Sequence, residues 1–145
     1  MTKQNRDPHF LESETGSVAV EFAILFIPLI LFIIGAIETA RFFWTNNAME
    51  EIASSASRCL ALRAPDCSED GETADLIKTR NLIKSEAAQM GVTLSDAAIT
   101  LEDNTTCSGI DGFSSVQITE NFSSIFSLYP DISMEVSACF PIQPK

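Results

Sequence analysis

The residues of this 145-residue chain whose type and spacing most plainly offer chemistry are four cysteines, Cys59, Cys67, Cys107 and Cys139. An even number of cysteines in a small domain suits disulfide formation in an oxidising compartment. Three pairings are open. The favoured one joins Cys59 to Cys67 across a tight loop after a helix, and Cys107 to Cys139 between a loop and the last strand. In the chain-entropy picture these closures would contribute about 2.6 and 3.7 kcal/mol. Zinc is the competing use of such residues, but no C-x-x-C occurs and the single histidine, His9, lies on the other side of a long apolar run. Free buried thiols are the third reading, separable by thiol labelling without reductant.

Other chemistry is thinly represented. There is no nucleophile elbow, no H-E-x-x-H and no glycine loop built to cradle phosphate. The acids Glu69, Asp70 and Glu72 read as a solvated loop, and D-C-S-E-D-G-E lacks the spaced ligands of a calcium-binding EF-hand. The chain is therefore expected not to be an enzyme and to need no metal, cofactor or small-molecule substrate. Its formal net charge is −11, and from Thr39 onward 15 acidic residues face 7 basic ones. Nucleic acid is excluded as a partner, because a phosphate backbone is held by clustered cations.

The one charge that stands out is Glu21, inside the apolar run VAVEFAILFIPLILFIIGAI of residues 18–37. At 1.5 Å per residue this run reaches ~30 Å, the thickness of a bilayer's hydrocarbon core. A membrane-spanning helix is expected. A cleaved secretory signal fits less well, since the apolar stretch is too long and residues 1–16 carry Lys3 and Arg6 against three acids. Near the helix N-terminus the macrodipole and the nearby interface lower the cost of a carboxylate. Pro28 removes a backbone donor at mid-span, so a kink or loosening is expected there. Glu38, at the outer interface, reads most simply as a solvated charge. Phe42, Phe43 and Trp44 read as an aromatic belt at the same level.

The helical pattern continues past the span. Ala48, Met49, Ile52, Ala53, Ala56, Cys59 and Leu60 recur at steps of three and four, which carries one helix from about Glu14 to Arg63 before Pro65 ends it. A second helix is expected from about Thr73 to Met90, with Leu76, Ile77, Ile83, Ala87 and Met90 on one face and Gly91 as its stop. The period then changes to two. Strands are expected at Ala98–Glu102, Val116–Phe122 and Ser133–Phe140, the last entered by a turn at Pro130-Asp131. Three short strands cannot bury their apolar face alone, so a helix must cover them. The fold class is α+β: a long N-terminal transmembrane helix extending into a small domain with a second helix and a short antiparallel three-stranded sheet.

With those elements in place, Gly16-Ser17-Val18-Ala19-Val20-Glu21-Phe22 resembles a type IV prepilin processing site, where a peptidase cuts after the glycine and a glutamate is fifth in the mature chain. The run through Phe43, the Ala/Ser-rich helix after it, Tyr129-Pro130 and the cysteine-bearing strand end resemble the TadE-like pseudopilins of tight-adherence (Flp) pilus systems. The resemblance implies a structural or assembly subunit processed by a prepilin peptidase at Gly16 and Ser17, with Glu21 and Phe22 part of that site. Expected partners are the bilayer, the peptidase, and other pilins or the assembly machinery. It further implies a bacterial inner-membrane location, with residues 1–16 a cytoplasmic leader, 17–38 the span, 39–64 the outer extension of the same helix and 65–145 a periplasmic domain. Glu21 would pair with the new amine of Ser17, within the chain or on a neighbour. The alternative is an anchored binding or sensor module that is never processed.

Overall fold

A computed structural model describes residues 14–125 and 131–143, and side chains from Val18 onward. The expected leader up to Ser13 and the turn around Tyr129-Pro130 lie outside the described residues. The elements run α1 (Glu14–Ala61), α2 (Leu76–Gln89), a 3₁₀ turn (Asp96–Ala98), β1 (Ile99–Cys107), β2 (Ile110–Phe122) and β3 (Ile132–Pro141). The architecture is α+β, as the change of period implies. By internal packing the chain divides into two units, residues 1–37 and 38–145.

In the first unit α1 carries the apolar run. Its large hydrophobic side chains are exposed from Val18 through Ile33 and again at Ile37, Phe22, Leu25 and Phe32 among them. None of the most apolar 18-residue window is buried by the protein. So large a stretch of bare hydrocarbon exceeds what a soluble surface carries, and the helix is long and apolar enough to cross a membrane. Pro28 sits inside it with helix on both sides. Its missing N–H deprives the Ile24 carbonyl of a helical partner.

The second unit folds around the later part of α1. Ala48, Met49, Ile52, Ala53, Ala56 and Leu60 are buried in one core with Ile83 and Ala87 of α2, Ile99, Leu101, Val116, Ile118 and Met134 of the sheet, and the linker residues Val92 and Leu94. The sheet is antiparallel in the order β1-β2-β3. Ile99 pairs with Ile118 and Leu101 with Val116, while Val136 and Ala138 pair with Ile118 and Val116 from the other side. Every second residue therefore faces the helix, which is the period-two pattern made physical.

The α2 face differs from the expected one. Thr79, Ile83 and Ala87 are buried, whereas Leu76 is exposed and Ile77 is 72% exposed. Successive helical positions are 100° apart, so Ile77 cannot share the face that Thr79, Ile83 and Ala87 make at steps of four. The helix also starts later than Thr73 because Asp75 is its N-cap, its carboxylate accepting the N–H groups of Ile77 and Lys78 at 3.0 Å. At the other end Gly91, with φ +78°, donates to Ala88, and Val92 donates to Ala87 at 2.8 Å. That double closure is a Schellman ending, and the buried Val92 seals it.

β1 and β2 are longer than the apolar alternation suggested, because they continue as a polar hairpin beyond the core. Cys107 pairs with Ile110, leaving Ser108 and Gly109, both at positive φ, as a two-residue turn of type I′ sign. Register shifts between Glu102 and Cys107 mark bulges on β1, with Asn104 left-handed at φ 57°.

Candidate functional site

Gly16 and Ser17 have helical backbone, within the first described residues of α1. Glu21 and Phe22 follow one turn later and are exposed, with the Phe22 ring stacked against Phe26 at 5.4 Å. Ser17 and Glu21 are separated by four positions of α1.

Glu38 departs from its expected reading as a solvated charge. The residue is only 5% exposed. One carboxylate oxygen accepts the Ile125 N–H at 3.0 Å, and the other accepts Arg41 at 3.2 Å. The chain beyond β2 is thus fastened to α1 through a side chain 87 positions earlier in the sequence. Nothing in a helical period signals such a long-range acceptor, which is why sequence reasoning missed it.

The expected aromatic belt is divided among different tasks. Phe42 is half-buried and meets Phe122 edge-on at 5.5 Å, while Arg41 lies over the same Phe122 ring at 5.4 Å. Trp44 stays largely exposed but donates its indole N–H to the Met90 carbonyl at 3.1 Å, at the end of α2. Phe43 remains exposed. Helix geometry separates adjacent positions by 100°, so three consecutive aromatics cannot serve one face.

The structure joins Cys59 to Cys67 and Cys107 to Cys139. Cys67 is fully buried, and its disulfide pins the 65–72 loop to the last turns of α1. Cys107 and Cys139 lie on β1 and β3, whose Cα atoms approach to 6.5 Å. Two strand spacings would be roughly 9.5 Å, so the outer strands close over β2 at this end, helped by the β1 bulges.

Two polar arrangements complete the unit. Arg63, just past α1, has φ 52°, and Ala64 and Arg63 donate back to Cys59 and Leu60 as at a Schellman ending. Its guanidinium makes paired bonds of 2.9 Å to both oxygens of Asp103 on β1 and a third to the Leu60 carbonyl. The buried Ser114 of β2 donates its hydroxyl to the same carboxylate at 2.8 Å. Partial burial pushes the Asp103 carboxyl up, but the Arg63 and Ser114 hydrogen bonds, the Arg63 charge and the Asn104 N–H outweigh it, leaving the group below its ordinary range. In the 65–72 loop, Asp70 accepts the N–H groups of Thr73 and Glu72 and the hydroxyls of Thr73 and Ser68. Those donors hold its carboxyl far below the usual carboxylate range. Glu69, Asp70 and Glu72 all stay exposed, as a solvated loop implies, and Asp70 in addition organises the turn through those hydrogen bonds.

Fold and side chains together describe an apolar helix of membrane-crossing length followed by a small disulfide-bonded α+β unit. Residues 16–58 match the TadE-like protein family. The match runs from Gly16 to the last turn of α1 and covers less than a third of the chain. No curated protein and no solved structure matches it.

Proposed function

We propose that this chain is a minor pilin-like subunit, a pseudopilin, serving tight-adherence pilus biogenesis and cut after Gly16 by a prepilin peptidase. The observation that carries the reading is the family match, which begins at Gly16 and ends at Arg58 in the last turn of α1. A match of this kind supports a structural, pilus-associated role rather than catalysis. On this reading residues 1–16 are a cytoplasmic leader, 17–38 the inner-membrane span, 39–64 its outer extension and 65–145 a periplasmic domain. The partners are the peptidase, other pilins or pseudopilins, and the assembly machinery.

Glu21 acquires a role once the leader is gone. Cleavage turns the amide of Ser17 into an ammonium one helical turn from the Glu21 carboxylate, a counter-charge for an ion otherwise costly to hold in lipid. Within one chain the pair screens the glutamate. Between neighbours it sets how far one helix slides along another.

N-terminal sequencing of membrane-extracted protein, from cells with and without the peptidase, tests the reading. The expected mature chain begins at Ser17 only when the peptidase is present. A chain that keeps Met1 in both strains rejects processing and favours an anchored binding or sensor module. Glu21→Gln should leave cleavage intact and impair pilus assembly, and unimpaired assembly would reject the pairing.

A further inference from the structure

The residues around the Glu38 clasp leave several large apolar side chains in the open. Phe43 is 59% exposed, Ile125 62% and Ile132 43%. Phe43 and Ile132 line one groove together with Glu38, Thr39, Phe42, Phe122 and Ser124. Ile125 is held at the same place by the hydrogen bond from its N–H to Glu38. All of them belong to the unit of residues 38–145. Glu38 directly follows Ile37, the last residue of the apolar run.

We infer that this face, made by Phe43, the Ile125 segment after β2 and the start of β3 at Ile132, is a membrane-contact surface that rests in the interfacial layer of the bilayer. The inference builds on the reading of residues 18–37 as a span. If Ile37 ends in hydrocarbon, a group bonded to the very next residue stands at the headgroup boundary, since one residue advances a helix by only 1.5 Å. Exposed Phe and Ile side chains there would leave water for the acyl boundary, where such groups are stabilised by area buried. Arg41 fits the same site. It is partly exposed beside Glu38 and lies over the Phe122 ring, within reach of lipid phosphate by the snorkelling habit of long cationic side chains.

Glu38 has a positioning role in this arrangement. Its carboxylate takes the Ile125 N–H out of the need for water, which allows that backbone to approach lipid without an unpaired donor. A second protein copy is a different occupant for the face, but the direct chain continuity with the apolar run favours lipid.

The experiment uses the full chain in vesicles of phosphatidylethanolamine and phosphatidylglycerol. All four native cysteines are paired, so a single introduced cysteine is the one free thiol. Ile125→Cys, Phe43→Cys, Ile30→Cys and Ile110→Cys are each labelled, without reductant, with a nitrobenzoxadiazole dye and challenged with nitroxide-bearing lipids. Ile30 reports the span. Ile110 is 62% exposed but starts β2, twelve positions and roughly 40 Å of strand from Phe122. The dyes at 125 and 43 should be quenched several-fold more than the dye at 110, with blue-shifted emission.

Equal, weak quenching at 125, 43 and 110 beside strong quenching at 30 overturns the surface while leaving the span standing. Weak quenching at 30 as well overturns both. A blue shift at 125 and 43 that grows with protein density and ignores the nitroxide lipids means a second copy covers the face, and also overturns it. Two labelled positions guard against one variant failing to fold, and the Trp44 emission of each variant reports that folding.

Discussion

Removing Asp103 should loosen the second unit measurably, although the side chain is partly exposed. Asp103→Ala takes away the partner of a guanidinium that is only 14% exposed and the acceptor of the buried Ser114 hydroxyl. Breaking a fully buried ion pair from one side costs about 3–5 kcal/mol, and hydrogen bonds to charged groups are worth about 1.5–3 kcal/mol. The Asp103 side chain is itself 27% exposed, so water partly replaces the lost partner. A cost of about 2–3 kcal/mol follows from discounting the buried figure for that solvation. For a unit of this size it corresponds to a melting-point drop of roughly 8–20 °C.

Arg63 offers an internal control, because it holds a left-handed backbone at φ 52°. Arg63→Ala loses the pair and keeps the strain, whereas Arg63→Gly loses the pair and relieves about 1 kcal/mol of it. The glycine variant should therefore be the more stable of the two. The assay is thermal and urea unfolding of the full chain in detergent micelles, followed by the single tryptophan, Trp44, and by near-ultraviolet circular dichroism. A double-mutant cycle of Arg63→Ala with Asp103→Ala should show a coupling of about 1.5–3 kcal/mol. The sign with pH is determined by the lowered Asp103 carboxyl. Its stabilisation is complete above the unfolded carboxylate range near 3.9 and is lost as pH falls through the lower folded value, so the parent and Asp103→Ala curves should converge in acid. A coupling near zero, or a gap between the two that persists unchanged in acid, would refute the argument.

Three further outcomes are expected. Replacing Cys107 and Cys139 together by serine should cost about 3.7 kcal/mol on the chain-entropy model, more than the ~2.6 kcal/mol for the Cys59 and Cys67 pair, because the closed loop is longer. Denaturant titration of the two double variants checks the order. Gly91→Ala should cost about 1 kcal/mol by urea titration, since Gly91 has φ +78° and open space around an added Cβ, leaving backbone strain as the whole penalty. Glu86 has its carboxyl pushed up by partial burial and by repulsion from Glu51 and Asp66. Its ionisation therefore opposes folding, and Glu86→Gln should raise the melting point slightly at neutral pH, by a few tenths of a kcal/mol after screening, with the gain vanishing below the unfolded carboxylate range.

Much of this protein follows from local pattern. The apolar run of residues 18–37 forms a helix that is apolar on every side apart from Glu21 and that the protein itself does not bury, the pattern of a helix made for a membrane. The stripe Ala48, Met49, Ile52, Ala53, Ala56 and Leu60 is buried because a period near 3.6 places those residues on one side. Gly91 ends α2 because a left-handed residue must follow the last turn, and the alternating strand residues face the helix because their period is two.

What tertiary structure decided concerns groups whose partners are remote in sequence. Glu38 became a buried acceptor when the chain after β2 arrived beside it, and Asp103 became an ion-pair partner only when β1 crossed the end of α1. The polar arms of the β1-β2 hairpin carried no apolar alternation, so their pairing depended on the Ser108-Gly109 turn and on Cys139 reaching Cys107 from β3. Phe42 and Trp44 likewise turned from lipid-facing candidates into packing and hydrogen-bonding partners of Phe122 and Met90. Periodicity reports which side of an element is apolar, but it carries no information about which distant donor will come to lie within three ångströms of a given oxygen.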